Sequence, residues 1–185
     1  MATKTLLDAP NCAVTLQRLV CQLNESHFPW SNTVLVGLQP RGVLLATHIA
    51  ASLKREYDLD EVEVGALDIT FHRDDFRRRE EPLKASPNIM DIAIDGKRVI
   101  LVDDVLYTGR TIRAALDAIQ QYGRPKQVEL CVLIDRRFSR ELPIQPDYSG
   151  RRVDAIAEEH VRLDWDDNQE LKAVLIEQRN HANQH

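Results

Sequence analysis

Cysteine is scarce in this chain of 185 residues, which has only Cys12, Cys21 and Cys131. The number is odd, and no pair has the Cys-x-x-Cys spacing. A disulfide framework and a cysteine-based zinc site are therefore not expected, and the thiols indicate a reducing compartment. His181 and His185 of the tail, about residues 180–185, are too sparse to suggest a metal site. We predict no direct metal ligand in this protein.

Long apolar runs and an excess of basic residues are also missing. No run approaches the roughly 20 residues that a membrane helix needs. The N-terminus lacks the apolar region of a signal peptide, so we expect a cytoplasmic protein. The 24 basic and 29 acidic side chains give a net charge of −5. This balance argues against broad nucleic-acid binding and leaves room for a local basic face.

The apolar pattern predicts one α/β domain over residues 1–185, since 43% hydrophobic residues suffice for a single core. Helices are predicted at 12–23, 43–57 and 111–122, and strands at 33–38, 63–70, 98–102 and 127–134. Short strands and loops are expected as far as Leu163, followed by a strand or short helix at 171–178. The alternation predicts a mainly parallel sheet with helices on both faces, which binds ligands at the carboxyl ends of its strands.

The most informative segment is VILVDDVLYTGRT, residues 99–111. A buried strand is followed by Asp103 and Asp104, and then by a Thr-Gly-Arg-Thr loop that opens a helix. Backbone N–H groups at a helix N-terminus favour phosphate, and Gly109 permits close approach of a ligand. The two carboxylates would repel phosphate and suit the cis hydroxyls of a ribose beside it.

Alternative interpretations of this segment can be compared with the residues. A P-loop would need glycine at position 104 and lysine at position 110, where the chain has Asp104 and Arg110. A receiver-type phosphoacceptor domain has no need of a Thr-Gly-Arg-Thr loop directly after its carboxylates. A buried strand with a polar end and a helix cap is the remaining structural alternative.

The segment resembles the phosphoribosyl-pyrophosphate (PRPP) signature of type I phosphoribosyltransferases. The similarity is closest to the PyrR family, which comprises bifunctional pyrimidine-operon regulators with uracil phosphoribosyltransferase activity. It extends over about residues 15–165. Further segments similar to that family are 35–42, 67–75, 123–125, 140–144 and 147–148.

The resemblance implies a type I phosphoribosyltransferase fold and a role for each matching segment. Catalytic roles are implied for Asp103, Asp104 and Arg41. The predicted PRPP-binding residues are Pro40, Arg41, Asp103, Asp104, Val105, Leu106, Tyr107, Thr108, Gly109, Arg110 and Thr111. The predicted base-binding residues are Ile134, Asp135, Arg136 and Val161. The polar excursion at about 71–91 resembles the family's flexible hood, in which His72, Arg73 and Arg77 would approach the pyrophosphate.

The implied reaction converts uracil and PRPP to UMP and pyrophosphate, with Mg²⁺ bound mainly through PRPP. Implied partners are UMP or UTP, an mRNA leader and further copies of the chain in a dimer or higher assembly. The chain departs from the usual regulators at Gln17-Arg18, Cys21, Gln39-Pro40 and 135–140. Two alternatives therefore remain open: an RNA-binding attenuator with weak catalysis, and a phosphoribosyltransferase for a purine or another pyrimidine.

Overall fold

The described part of the chain contains two sheets, three α-helices and a short 3-10 helix at Arg137–Ser139. In this computed structural model it comprises residues 3–69, 92–154, 159–167 and 170–178. The α-helices are α1 (Ala9–His27), α2 (Arg41–Tyr57) and α3 (Arg110–Ile119). The strands are β1 (Thr3–Leu7), β2 (Thr33–Leu38), β3 (Glu63–Leu67), β4 (Arg98–Leu106), β5 (Gln127–Arg136), β6 (Tyr148–Val153), β7 (Glu159–Trp165) and β8 (Leu171–Gln178). The predicted hood, with His72, Arg73 and Arg77, and the tail at 180–185 lie outside these residues.

The larger sheet has five strands in the order β3-β2-β4-β5-β6, and each neighbouring pair is parallel. Its central strands are continuous apolar runs because both faces are covered, as is usual in parallel sheets. On one face, Leu19 of α1 and Ile49 of α2 belong to the same core as Leu35. On the other, Ile112 of α3 packs in a core with Leu101. The predicted α/β architecture is confirmed.

The smaller sheet, which we did not predict, is antiparallel with the order β1-β8-β7. Residues 171–178, predicted as a strand or a short helix, form its central strand and pair with both neighbours. Val161 and Val174 of this sheet are buried in the same core as α1 and α2. The smaller sheet therefore packs on the same side of the larger sheet as α1 and α2.

Strand β4 is longer than predicted and contains the acidic pair. We expected it to end at Val102, yet its pairing with β5 continues through Asp103 and on to Leu106. Pairing with a long partner strand maintains the extended backbone where the polar sequence indicates a strand end. The loop is consequently short and covers residues 107–109.

Helix α2 begins in direct contact with the middle of β4, just before the acidic pair. A Cβ atom on Gly42 would lie 2.2 Å from the carbonyl oxygen of Val102, and one on Gly37 would lie 2.5 Å from Cα of Val43. Glycine is needed at both positions because backbone occupies the space of a side chain. This contact brings Arg41, the first residue of α2, next to the acidic pair.

None of the helices in the described part combines the length and the apolar character that crossing a membrane requires.

Candidate active site

Asp103 and Asp104 lie at the carboxyl end of β4, and neighbouring amides orient both carboxylates. The backbone N–H of Asp104 donates to Asp103 Oδ1 at 2.9 Å, and that of Val105 donates to Asp104 Oδ1 at 2.8 Å. Both aspartates are 9% exposed. The second oxygen, Asp104 Oδ2, is buried and has no hydrogen-bond partner among the described residues. A buried acceptor without a donor is unfavourable, typically by about 1–3 kcal/mol, so this oxygen suits a ligand hydroxyl.

Arg41 lies near the same oxygen, at the start of α2, which follows the neighbouring strand β2. Its Nη1 lies 3.6 Å from Asp104 Oδ2, an ion-pair distance too long for a good hydrogen bond. The Arg41 side chain is 46% exposed, and Pro40 before it is also exposed. Arg41 therefore retains donors for a second anion while it balances part of the aspartate charge.

A cavity of about 290 Å³ follows the acidic pair. Its lining contains all the residues from 103 to 111 that we predicted to bind PRPP except Asp104, together with Ile112. Gly109 has φ = 92° and forms the N-cap of α3 without a side-chain hydrogen bond to the first turn. The Arg110 amide at the start of α3 donates to Thr108 Oγ1 at 3.3 Å. The amides of the first helical turn and the helix dipole favour an anion at this end of α3.

A second cavity of about 220 Å³ adjoins the first, and the two share Val105 and Tyr107. Its lining combines predicted PRPP-binding residues with residues of β5 and β7: Arg41, Asp104, Val105, Tyr107, Arg136, Glu159, His160 and Val161. The Arg136 guanidinium stacks over the Tyr107 ring at 4.2 Å. The geometry thus brings the predicted ribose, phosphate and base residues together at one edge of the sheet.

Three residues of β5 were predicted to bind the base: Ile134, Asp135 and Arg136. Arg136 lines the second cavity, whereas Ile134 and Asp135 are not part of its lining. Ile134 is completely buried in the core. The Asp135 carboxylate accepts from Arg140 Nη2 at 2.5 Å and lies 3.8 Å from Arg152 Nε. Both residues remain in the β5 ladder, paired with β4 and β6. Base contact by Ile134 and Asp135 stays a prediction.

Comparisons with known proteins agree with this arrangement. The family model of the phosphoribosyl transferase domain matches residues 2–168. The Bifunctional protein PyrR of Enterococcus faecalis is 41% identical over 180 residues, which is 97% of this chain and 99% of that protein. The Bifunctional protein PyrR of Microcystis aeruginosa is 44% identical over 158 residues, which is 85% of this chain and 88% of that protein. The chain belongs to the PyrR family.

Solved structures show the same fold at much lower sequence identity. The hypoxanthine phosphoribosyltransferase of Trypanosoma cruzi superposes with a TM-score of 0.70 at 17% identity, covering 96% of this chain and 97% of that one. A hypoxanthine-guanine phosphoribosyltransferase of Bacillus anthracis gives a TM-score of 0.63 at 21% identity, with coverage of 83% and 84%. The type I phosphoribosyltransferase fold predicted for this PyrR-family chain is confirmed.

Sequence reasoning missed two residues of the second cavity, Glu159 and His160. They precede Val161 in β7, a strand whose bounds the apolar pattern did not reveal. Alternation within residues 159–165, in which Val161 and Leu163 are buried, is the signal that would have located the strand. Both residues are positioned by antiparallel pairing with β8, Glu159 opposite Gln178 and His160 opposite Glu177, which no local motif indicates.

Proposed function

We propose that this protein is a uracil phosphoribosyltransferase that converts uracil and PRPP to UMP and pyrophosphate. One observation supports it most: Asp104 Oδ2, buried and without a hydrogen-bond partner among the described residues, lies 3.6 Å from Arg41 Nη1, and Asp104 lines the cavity that adjoins the phosphate cavity. PRPP has its 5-phosphate at one end of the ribose, its pyrophosphate on C1 at the other, and its 2′ and 3′ hydroxyls between them. A buried hydroxyl acceptor with an arginine on one side and a phosphate cavity next to it matches this arrangement. Family membership supports the same reaction.

In this proposal the acidic pair holds the ribose. The 2′ and 3′ hydroxyls donate to Asp103 and Asp104, whose orientations are already set by backbone amides. The 5-phosphate occupies the cavity lined by Thr108, Gly109 and Thr111, and receives hydrogen bonds from backbone amides and hydroxyls. Fixing the two ends of the sugar orients C1 between the leaving group and the base.

The reaction is a substitution at C1 of the ribose. The bond from C1 to the pyrophosphate oxygen breaks with its electron pair leaving on pyrophosphate, and a lone pair of the base nitrogen forms the new bond. The proton of that nitrogen passes to water. Positive charge develops on the ribose, and the carboxylates of Asp103 and Asp104 stabilise it electrostatically. Arg41 pairs with the departing pyrophosphate.

Magnesium fits this site as a companion of the substrate. The described residues contain no group of three or more His, Cys, Asp or Glu side chains that could hold a metal ion. Mg²⁺ keeps several waters and binds readily to substrate phosphates, so in this proposal most of its ligands are oxygens of PRPP, close to the carboxylates of Asp103 and Asp104. When bound, the ion supplies neutralisation of the leaving group.

The base occupies the second cavity in this proposal. Arg136, stacked on Tyr107, forms one wall, and Val161 contributes an apolar surface from β7. His72, Arg73 and Arg77 of the hood are proposed to approach the pyrophosphate in the loaded enzyme. Exclusion of water there would protect the ribosyl cation from hydrolysis. We propose that residues 1–185 form one domain for this reaction.

A second candidate function is regulation of pyrimidine genes through binding of an mRNA leader and uridine nucleotides, as a homo-oligomer. The relatives are named bifunctional, and exposed cations occur on α1 and β6: Arg18, Arg151 and Arg152. These three arginines also have partners within the protein: Arg18 donates to the Gly150 carbonyl, Arg151 donates to the Leu6 carbonyl at 3.3 Å, and Arg152 lies 3.8 Å from Asp135. Two further arginines are bound more closely. Arg140 is bound to Asp135, and Arg137 forms a two-pronged pair with Asp154 at 2.7 and 2.8 Å.

The proposal is tested by a PRPP-dependent assay across uracil, hypoxanthine, guanine and orotate. We expect UMP from uracil and little product from the other bases. If another base is turned over faster, the proposed substrate is wrong and the proposed reaction type is retained. If no base gives a product, the proposed phosphoribosyltransferase activity is wrong. A titration with a leader hairpin at several salt concentrations separately tests the regulatory function.

A further inference from the structure

Residues 140–144, which we call the strap, run beneath the loop that lines the phosphate cavity. The N–H groups of Glu141 and Leu142 both donate to the carbonyl of Thr108, at 3.0 and 3.2 Å. The neighbouring carbonyl, that of Tyr107, accepts from Arg140 Nη1 at 2.6 Å. Two successive carbonyls of the loop are therefore bonded to the strap.

The same peptide units determine what the loop presents to a ligand. In a trans peptide, the C=O and the following N–H point in opposite directions. Because the carbonyls of Tyr107 and Thr108 face the strap, the N–H groups of Thr108 and Gly109 point away from it. Both of these residues line the phosphate cavity. A carbonyl turned toward that cavity would instead repel an anion.

Arg140 is itself held firmly by the base-side strand. Its side chain is 18% exposed, and its Nη2 donates to Asp135 Oδ1 at 2.5 Å, where the Asp135 side chain is 7% exposed. One guanidinium thus spans a carboxylate of β5 and a carbonyl of the phosphate loop. Lysine has a single nitrogen and cannot reproduce this planar two-pronged geometry.

A second set of contacts supports the same loop from the strap. Arg110 Nε donates to Glu141 Oε2 at 2.6 Å, although both side chains are about half exposed. The side chains of Leu142 and Ile144 lie against Gly109, where a Cβ would be 3.4 and 3.3 Å from them. The strap thus fills the space on the side of the loop opposite the cavity.

We propose that Arg140 is a positioning residue for the 5-phosphate subsite. It fixes the Tyr107 carbonyl so that the next amide is directed at phosphate, and it couples this orientation to Asp135 in the strand beside the base cavity. This inference rests on the proposed function and adds to it a residue that does not touch substrate. Among the described residues, Arg140 bonds to Asp135 and the Tyr107 carbonyl while Arg41 pairs with Asp104, so binding of pyrophosphate near Arg41 should be independent of Arg140.

The test compares two partial ligands, ribose 5-phosphate and inorganic pyrophosphate, by calorimetry on the full chain. Arg140→Gln should raise the Kd of ribose 5-phosphate about 10-fold or more, as expected when a charged hydrogen bond that organises the subsite is lost. The Kd of pyrophosphate should stay within about twofold. Asp135→Asn should produce the same selective loss, and the double variant should lose less than the sum of the two. Arg137→Ala, an exposed arginine three residues away, should bind both ligands like the wild type.

Equal weakening of both ligands, or unchanged ribose 5-phosphate binding in folded Arg140→Gln, would overturn the positioning role. If Arg140→Gln does not fold, Arg140→Lys decides, because it keeps a cation beside Asp135 and loses the second branch. Loss of ribose 5-phosphate affinity in this variant supports the role, and wild-type affinity overturns it. UMP formation by the wild type is measured first: its absence rejects the proposed function and this role with it. An active wild type with insensitive Arg140 variants rejects the positioning role alone.

Discussion

Arg41 Nη1 and Asp104 Oδ2 lie 3.6 Å apart and join the carboxyl ends of two adjacent parallel strands, β2 and β4. Within the described part of the chain, this distance leaves the aspartate oxygen without a hydrogen bond, and the arginine keeps donors for a further anion. Both groups are therefore organised before substrate arrives, one for hydroxyls and one for an anion. In the proposed reaction, the scissile bond lies between these two groups.

Removal of the Arg41 guanidinium should weaken binding of the leaving group. In Arg41→Ala we expect the KM for PRPP to rise about 10- to 100-fold, because a charge-assisted hydrogen bond to phosphate is lost. Steady-state kinetics at varied PRPP measure this. Arg55→Ala, on the exposed side of the same helix, is the matched control. A KM for PRPP equal to that of the control would rule out the assignment of Arg41.

The close contact between α2 and β4 should not tolerate a methyl group. In Gly42→Ala the new Cβ would lie 2.2 Å from the Val102 carbonyl oxygen, so the start of α2 must move. We expect a loss of about 1–3 kcal/mol in the free energy of unfolding, and a fall in kcat/KM on the order of 100-fold as Arg41 is displaced. Denaturant unfolding and kinetics measure the two effects. Thr47→Ala, an exposed position on the same helix, should change neither the free energy of unfolding nor kcat/KM. If Gly42→Ala also leaves both quantities unchanged, the close contact between α2 and β4 is contradicted.

The elements with strong local signals were predictable from sequence. The run TVLVGL gives β2 with the predicted bounds, since a strand buried on both faces is apolar throughout. The small sheet could not be predicted in the same way. Its strands β1, β7 and β8 are only partly buried, and pairing between the two ends of the chain determines them. Local pattern contains little information about such pairing.

Some residues of the candidate site could likewise be predicted from sequence, and others could not. Asp103, Asp104 and the Thr-Gly-Arg-Thr loop were identified because side-chain chemistry and order along the chain both indicate a ligand. Arg140 is not among the residues predicted for the site, whereas the structure places it between Asp135 and a backbone carbonyl. A hydrogen bond to a carbonyl leaves no trace in sequence, because every residue provides one.

His27, the last residue of α1, is buried beside the start of β5, far along that strand from the candidate site, and should make the stability of the fold depend on pH. His27 Nε2 lies 2.9 Å from Glu129 Oε2 and 3.0 Å from the Tyr148 hydroxyl, and Thr33 lies on the other side of the ring. Burial lowers the pKa of His27, assisted by Arg98 and opposed by Glu129. The unfolded chain therefore binds a proton more readily than the folded one.

This sign predicts full stability above the ordinary histidine pKa near 6.5, and progressive loss as the pH falls from there toward the folded-state pKa. The melting temperature of the wild type should fall more steeply than that of His27→Gln between about pH 7 and about pH 5. Parallel slopes for the two proteins would show that His27 does not contribute to the dependence.

The three cysteines should differ in reactivity. Burial raises the pKa of Cys131 to about 12, and burial together with the nearby Asp8 charge raises that of Cys12 to about 11. Cys21 is partly exposed and accepts from the Tyr57 hydroxyl at 3.3 Å. Because the thiolate is the reactive form, one thiol per folded chain should react with a disulfide reagent at about pH 8, and three after unfolding. Peptide mapping should place the first label on Cys21, and early labelling of Cys131 would contradict its burial.

The central claim is that Asp103 and Asp104 hold the ribose of PRPP. The most direct measurement is UMP formation from uracil and PRPP by the double variant Asp103→Asn and Asp104→Asn, beside the wild type. Asparagine keeps the size and the Oδ1 acceptors that receive the amides of Asp104 and Val105, so the melting temperature should change little. We predict that transfer is abolished, with a loss of at least about 100-fold, because the negative charge that stabilises the ribosyl cation is gone. Near-normal UMP formation by the folded double variant would contradict the account.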